Sequence, residues 1–288
     1  MATIGQHLTA NPAFCRETAN LLAFVCRRNL SWLLAHPEYR LSPAQEKKFQ
    51  QKYKHWQTGE PLAYVIGYQD FYDYRFRVSP AVLIPRPESE LIVDAGLAYA
   101  RLTAGKKLTF LDVGTGSGAL IISFAKSLKE KIPAAYRQAE FMASDISTTA
   151  LRIARANAHA YRLDRKIIFR LGDLLTPWRK IFNQQLNPLF IAANLPYLTP
   201  KERRSEPSLA QEPDLALLGG RDGLSLYRRF LPMMNNLLQN RPFCLLMEIN
   251  PEQAPALIKL AGKYFTDDEI KKMPDLSGRT RFIKIQRD

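Results

Sequence analysis

The architecture of this chain follows from Leu108-Thr109-Phe110-Leu111-Asp112-Val113, which runs directly into Gly114-Thr115-Gly116-Ser117-Gly118. The short apolar run reads as a buried strand. The three glycines behind it permit a tight turn and let a ligand approach the backbone closely. Ala119 to Lys129 then shows helical recurrence. In an open parallel sheet, ligands bind beyond the carboxyl ends of the strands, near the point where strand order reverses.

Downstream the same alternation repeats. Phe141 to Ser144, Ile167 to Leu171, Leu189 to Ala193, Phe243 to Ile249 and Arg281 to Ile285 read as strands. Thr148 to Tyr161, Leu224 to Gln239 and Glu252 to Lys263 read as helices between or after them. This pattern predicts an α/β fold, a doubly wound and mostly parallel sheet with helices on both faces. Asp145 falls at the end of the second strand, where a carboxylate can accept hydrogen bonds from both ribose hydroxyls. Asp173 follows the third strand, where a polar edge can meet a base.

Upstream, the first ~60 residues read as helical, a small bundle that has limited stability alone. Phe14 to Ala35 carries Leu21, Leu22, Val25, Trp32 and Leu33 and ends before Pro37. Ser42-Pro43-Ala44-Gln45 opens a second helix with a capping hydroxyl, a proline and a glutamine in the favoured order. Gly59 is its expected stop. Phe71 to Val78 alternates as a hairpin would. Leu83-Ile84-Pro85-Arg86-Pro87-Glu88-Ser89-Glu90 is a rigid turn feeding a helix that runs to Leu102. The expected organisation is a helical domain over 1–60, a linker with a hairpin over 61–90, and the sheet domain over 91–288.

At 288 residues, 46% of them hydrophobic and 24% charged, the composition is that of a soluble globular protein. No apolar run approaches the roughly 20 residues that cross a bilayer, and Met1 to Ala10 does not read as a secretory signal. Cys15, Cys26 and Cys244 are scattered, and His7, His36, His55 and His159 do not cluster, so no disulfide framework and no metal site is expected. A cytoplasmic monomer is the expectation. The net charge of +14 is spread along the chain in short pairs and points to no particular partner.

Asn194-Leu195-Pro196-Tyr197 follows the fourth strand and carries the chemistry. An amide or arylamine nitrogen is a poor nucleophile because its lone pair is delocalised. Two acceptors receiving its N–H bonds would orient it and favour pyramidalisation. The Asn194 side-chain carbonyl and the Leu195 backbone carbonyl can serve. Pro196 restricts Leu195 to extended conformations and so directs that carbonyl. Tyr197 offers a flat face for a planar group. A methyl group on a sulfonium cofactor could then be attacked in line, with most of the acceleration coming from holding the reactants at near-attack distance.

On these residues the sequence resembles the PrmC/HemK family, the glutamine methyltransferases that modify peptide-chain release factors. The likeness extends through Pro61-Leu62-Ala63-Tyr64-Val65-Ile66-Gly67, the Ile84-Pro85-Arg86-Pro87-Glu88 turn, Ala143-Ser144-Asp145-Ile146-Ser147, Glu212-Pro213, Gly219-Gly220, Asp222-Gly223-Leu224, Glu248-Ile249 and Asp275-Leu276-Ser277-Gly278. The resemblance implies a class I S-adenosylmethionine-dependent methyltransferase, a Rossmann-like fold with a seven-stranded sheet, behind a small N-terminal helical domain. It implies S-adenosylmethionine as donor and the glutamine of a Gly-Gly-Gln loop in class 1 release factors as acceptor. By position, Gly114, Thr115, Gly116, Ser117, Gly118, Asp145, Asp173, Leu174 and Asn194 would bind the cofactor. Asn194, Leu195, Pro196 and Tyr197 would hold the glutamine amide, and the helical domain would help grip the release factor. The chain departs from the family pattern at Leu195 (usually proline), Leu174 (usually aromatic), Leu189 (often acidic) and Asn250 (usually glycine).

Three other readings compete. A ribosomal-protein glutamine methyltransferase would share the sheet, but its linker normally lacks the Pro87-Glu88 pairing. A methyltransferase acting on exocyclic amines of nucleic acid would suit the positive charge, yet no target-recognition domain is evident. A binding-only protein would go with an empty or decayed cofactor pocket, yet Gly114 to Gly118, Asp145 and Asn194 are all present.

Overall fold

The computed structural model describes residues 2–10, 15–182, 187–238 and 241–288. Contacts divide the chain into two compact units, Met1–Tyr68 and Gln69–Asp288. Of the stretch read as a linker, residues 61–68 thus fall in the first unit and 69–90 in the second.

The first unit holds α1 (Ile4–Thr9), α2 (Cys15–Cys26), α3 (Leu30–Ala35), α4 (Pro43–Gln57) and α5 (Leu62–Ile66). Their apolar faces meet in a core that includes Leu21, Leu22, Leu33, Leu41 and Phe49. The Ser42 capping box forms as its sequence predicts: the hydroxyl accepts from Gln45 N, and the Gln45 side chain accepts from Ser42 N. The single helix expected over Phe14–Ala35 is a correction. Phe14 lies outside the described residues, and the rest is two helices. Arg27 takes a left-handed φ of 54°, and Asn29 caps a new start by accepting from Trp32 N.

A hairpin follows, β1 (Tyr68–Phe71) and β2 (Tyr74–Arg77), all of it after Tyr68 belonging to the second unit. Its turn residues Tyr72 and Asp73 both have positive φ, the geometry that matches strand twist in a two-residue turn. A 3-10 turn, Pro87–Ser89, leads into α6 (Glu90–Leu102). There follow β3 (Thr109–Val113), α7 (Ala119–Lys131), α8 (Pro133–Gln138), β4 (Glu140–Asp145), α9 (Thr148–Ala160), β5 (Ile167–Leu171) and α10 (Arg179–Phe182). The chain continues through β6 (Leu189–Ala193), α11 (Pro200–Ser205), α12 (Asp214–Leu217), α13 (Ser225–Leu238), β7 (Phe243–Glu248), α14 (Ala254–Ala261), β8 (Glu269–Pro274) and β9 (Thr280–Arg287).

β3 to β9 form one seven-stranded sheet in the order β5-β4-β3-β6-β7-β9-β8. The first five are parallel, and β9 lies antiparallel between β7 and β8. β3 and β6 are buried along their whole length, which is why they read as unbroken apolar runs rather than alternating ones. Phe110 and Phe190 stack with Phe124 of α7 on one face. Leu111, Ile191 and Leu245 pack against Tyr227 and Phe230 of α13 on the other. The sheet order reverses between β3 and β6, so the crevice opens at their carboxyl ends, beside Gly114 and Asn194.

β2 is bound to α9 by side chains instead of a third strand. Tyr161 OH lies 2.7 Å from Arg75 N and 2.8 Å from Arg75 O. The Asn157 amide accepts from Arg77 N at 2.8 Å and donates to Arg77 O at 3.1 Å. Asn157 Nδ2 also donates to Ser117 O at 2.8 Å, which joins the hairpin to the glycine turn.

Candidate active site

A cavity of about 260 Å³ sits at the carboxyl ends of the central strands, with Gly114 and Gly116, Asp145, Asp173 and Leu174, and Asn194 through Pro196 in its wall. A smaller cavity of about 50 Å³ lies beside it, lined by Thr115, Ser117, Arg86 and Ser89 among others. Asn194 borders both. The site residues expected from sequence therefore gather at one place, except Gly118 and Tyr197, which line neither cavity. Gly118 heads α7, and the Tyr197 ring faces the Arg281 guanidinium at 5.9 Å.

The glycine turn leaves β3 at Gly114, whose φ of +77° disfavours any residue with a side chain. Gly116 N donates to Asp145 Oδ2 at 2.9 Å, and Ser147 N to Oδ1 at 2.8 Å. Burial pushes the Asp145 carboxyl up, and these backbone donors pull it back. A carboxylate has about four acceptor sites, so Asp145 retains capacity toward a ligand. Asp112, under the turn, is wholly enclosed. Burial pushes it up to about 7, against a hydrogen bond from Thr115 Oγ1 at 2.6 Å. Leu174 is held at a φ of +50° while its carbonyl accepts from Ser144 Oγ at 3.2 Å. Asp173 is ion-paired with Arg229 at the cavity's edge. Apolar lining from Ile146, Leu174 and Leu195 beside the Asp145 carboxylate suits a nucleoside, so the residues present fit S-adenosylmethionine.

Asn194 Nδ2 donates to Ser89 Oγ at 3.0 Å. Ser89 Oγ donates to Glu248 Oε2 at 2.5 Å. The other carboxylate oxygen, Oε1, accepts from Tyr197 OH at 3.1 Å. The two departures that bear on this loop both find partners. The N–H that Leu195 keeps, where the family has proline, interacts with the Tyr227 hydroxyl. That hydroxyl also lies 3.1 Å from Ala193 O and 2.5 Å from Glu248 O. Asn250 Nδ2 donates to Glu202 Oε1 at 2.5 Å.

Loops close in behind the four residues. A Cβ on Gly219 would stand 2.5 Å from Pro196 O and 2.8 Å from Tyr197 Cα, so only glycine permits that approach. Glu212 accepts from Ile84 N at 3.1 Å and pairs with Arg86, clasping the Ile-Pro-Arg-Pro turn to the segment after β6. Three further residues of the site, Ser89, Glu212 and Glu248, lie outside the set expected from sequence. Their signal is a polar residue at the end of an apolar strand or inside a proline-rich turn. Among the described residues no three His, Cys, Asp or Glu side chains group as a metal site would, and no helix is long and apolar enough to cross a membrane.

Comparison with known proteins adds to this geometry. Residues 6–67 match the family model of the PrmC N-terminal domain. A release factor glutamine methyltransferase of Moorella thermoacetica is 38% identical over 94% of this chain and 91% of its own length. One of Bacillus subtilis (strain 168) is 33% identical over 91% of this chain and 88% of its own. Among solved structures, human methyltransferase 10 domain containing protein superposes with a TM-score of 0.50 at 14% identity, covering 75% of this chain and 88% of that one. The hMettl16 catalytic domain in complex with MAT2A 3'UTR hairpin 6 gives a TM-score of 0.51 at 14% identity, covering 73% and 74%. These two show the fold alone.

Proposed function

The chain belongs to the release factor glutamine methyltransferases, and from that premise we propose how its residues serve the transfer of a methyl group to a release factor glutamine. The donor is S-adenosylmethionine, and the acceptor is the side-chain nitrogen of the glutamine in a Gly-Gly-Gln loop. The observation that carries this reading is the position of Asn194, on the seam between the larger cavity beyond β3 and the smaller one beside it.

Asp145 would hold the ribose, Leu174 would cover the adenine by apolar contact, and the Gly114–Gly118 turn would lie along the tail. The cofactor supplies an electrophilic methyl carbon on a sulfonium. Asn194 Oδ1 and the Leu195 carbonyl accept the two N–H bonds of the glutamine amide, which orients its nitrogen lone pair. Tyr197 is fastened by its hydroxyl and acts less as an open stacking platform than as the anchor of the turn. Methyl transfer would leave the cofactor as a neutral thioether, and the nitrogen would shed one proton to water; a strong base is not needed, because the N–H becomes far more acidic once the nitrogen is alkylated. The rate gain comes from placement of the two reactants. The first unit would help grip the release factor, and a monomer in the cytoplasm goes with a substrate that acts in translation.

The test is label transfer. With labelled S-adenosylmethionine, the purified protein should label a release factor on its glutamine and leave DNA and ribosomal protein unlabelled. Asn194→Ala should lower turnover by about a hundred-fold or more while the circular dichroism spectrum stays native. Label on DNA alone, or near-normal turnover by the variant, would overturn the reading.

A further inference from the structure

A buried carboxylate stands behind the four-residue loop, and the direction of its hydrogen bonds has a consequence for the amide at the site. Glu248 is fully buried at the end of β7, and Ser89 is buried at the start of α6. An ionised carboxylate only accepts, so the Ser89 proton is committed to Glu248 Oε2. Ser89 Oγ can then only accept from Asn194. The NH2 of Asn194 meets that need at 3.0 Å. A flipped amide would set its carbonyl oxygen against an oxygen with no proton to give.

We propose that Ser89 and Glu248 are positioning residues that fix which way round the Asn194 amide lies, turning Oδ1 away from Ser89 and toward the glutamine. This rests on the reading of Asn194 as an acceptor for the substrate amide. Glu248 Oε1 fastens Tyr197 as well, so one carboxylate holds both ends of Asn194-Leu195-Pro196-Tyr197.

Protonation of Glu248 releases the lock. Its carboxyl group then donates to Ser89, whose own proton is free to turn to Asn194 Oδ1. Burial raises the pH at which this happens above the ordinary glutamate range, and Glu88 adds to the rise. The Arg281 guanidinium at 3.9 Å and the hydrogen bonds from Ser89 and Tyr197 oppose it. Tyr227, from α13, donates to the backbone carbonyl of Glu248 and not to its carboxylate. Turnover should therefore fall as pH drops through that raised value.

The experiment measures kcat and KM for release factor methylation, and cofactor binding by calorimetry, in Ser89→Ala, Ser89→Thr, Glu248→Gln and Asn194→Ala. Ser89→Ala is expected to lower kcat by about ten- to a hundred-fold, with KM and the cofactor Kd within about two-fold. Ser89→Thr keeps the hydroxyl and should restore most of the rate. Glu248→Gln should abolish the acidic limb of the wild-type kcat profile. If Asn194→Ala is inactive while Ser89→Ala turns over within about two-fold of wild type, the lock is wrong and the acceptor reading stands. If Asn194→Ala itself is active, the acceptor reading has failed. Should Ser89→Ala not fold, the profile decides: an acidic limb that persists unchanged in Glu248→Gln overturns the proposal.

Discussion

Tyr227 has no charge and touches no substrate cavity, yet its hydroxyl serves three backbone groups around the loop. It lies between Ala193 O and Glu248 O and meets the Leu195 amide, with no solvent exposure. Burial drives its ionisation far out of reach, so it stays a neutral phenol that can both give and take a hydrogen bond. Tyr227→Phe keeps the ring in the core and deletes that junction. The expected cost is about 1–3 kcal/mol of unfolding free energy for the groups left unpaired, read from urea titration. Turnover should suffer as well, since the end of β6 that carries Asn194 loses its tie to the end of β7. An unfolding curve that superposes on wild type would show that the backbone groups find other partners. Asn194, Asp145 and the glycines were readable in the sequence because each ends an apolar strand. Ser89 and Glu248 were not, because they lie 105 and 159 positions from their partners. Pattern along the chain is blind to hydrogen bonds that only the fold brings together.

The strands β3, β4, β6 and β7 were legible because central parallel strands are apolar on both faces, and β5, at the sheet's edge, because it keeps Ile167, Ile168, Phe169 and Leu171 although most of it is exposed. β8 was not. Glu269-Ile270-Lys271-Lys272-Met273-Pro274 carries little apolar surface, being an outer strand with most of its side chains in water. Helix α9 shows how an element can do work its amphipathic pattern does not announce. Its apolar stripe packs Leu151, Ala154 and Ala158 inward. Asn157, in the same stripe and 1% exposed, carries three hydrogen bonds to β2 and the glycine turn. Asn157→Ala leaves Ser117 O and both backbone groups of Arg77 without that partner. A loss of about 1–3 kcal/mol is expected, together with weaker binding of S-adenosylhomocysteine by calorimetry. A variant that melts early yet binds the nucleoside as tightly as wild type would confine Asn157 to the hairpin.

The cavity assigned to the cofactor is lined by residues of the second unit alone. A ligand bound there stabilises what it contacts, by about 2.7 kcal/mol at a hundred times its Kd. S-adenosylhomocysteine should accordingly slow amide exchange across 69–288 in preference to 1–68, as mass spectrometry of the intact protein would record. Equal protection in both units would mean that the ligand binds elsewhere or that the units unfold as one. That two units exist was legible in the change from helical to alternating pattern. Where one gives way to the other, near Tyr68, was not, since Pro61 to Val78 has neither a long apolar run nor a loop composition. The side-chain ladder along β2 bears on how the protein behaves in concentrated solution. A hairpin presents a row of unsatisfied amides and carbonyls that invites a strand from a neighbouring molecule. Here those positions, at Arg75 and Arg77, are already taken by a phenol and a carboxamide. Those two backbone positions are thus closed to a strand from another copy, and one of the two side chains that close them, Asn157, also reaches the glycine turn.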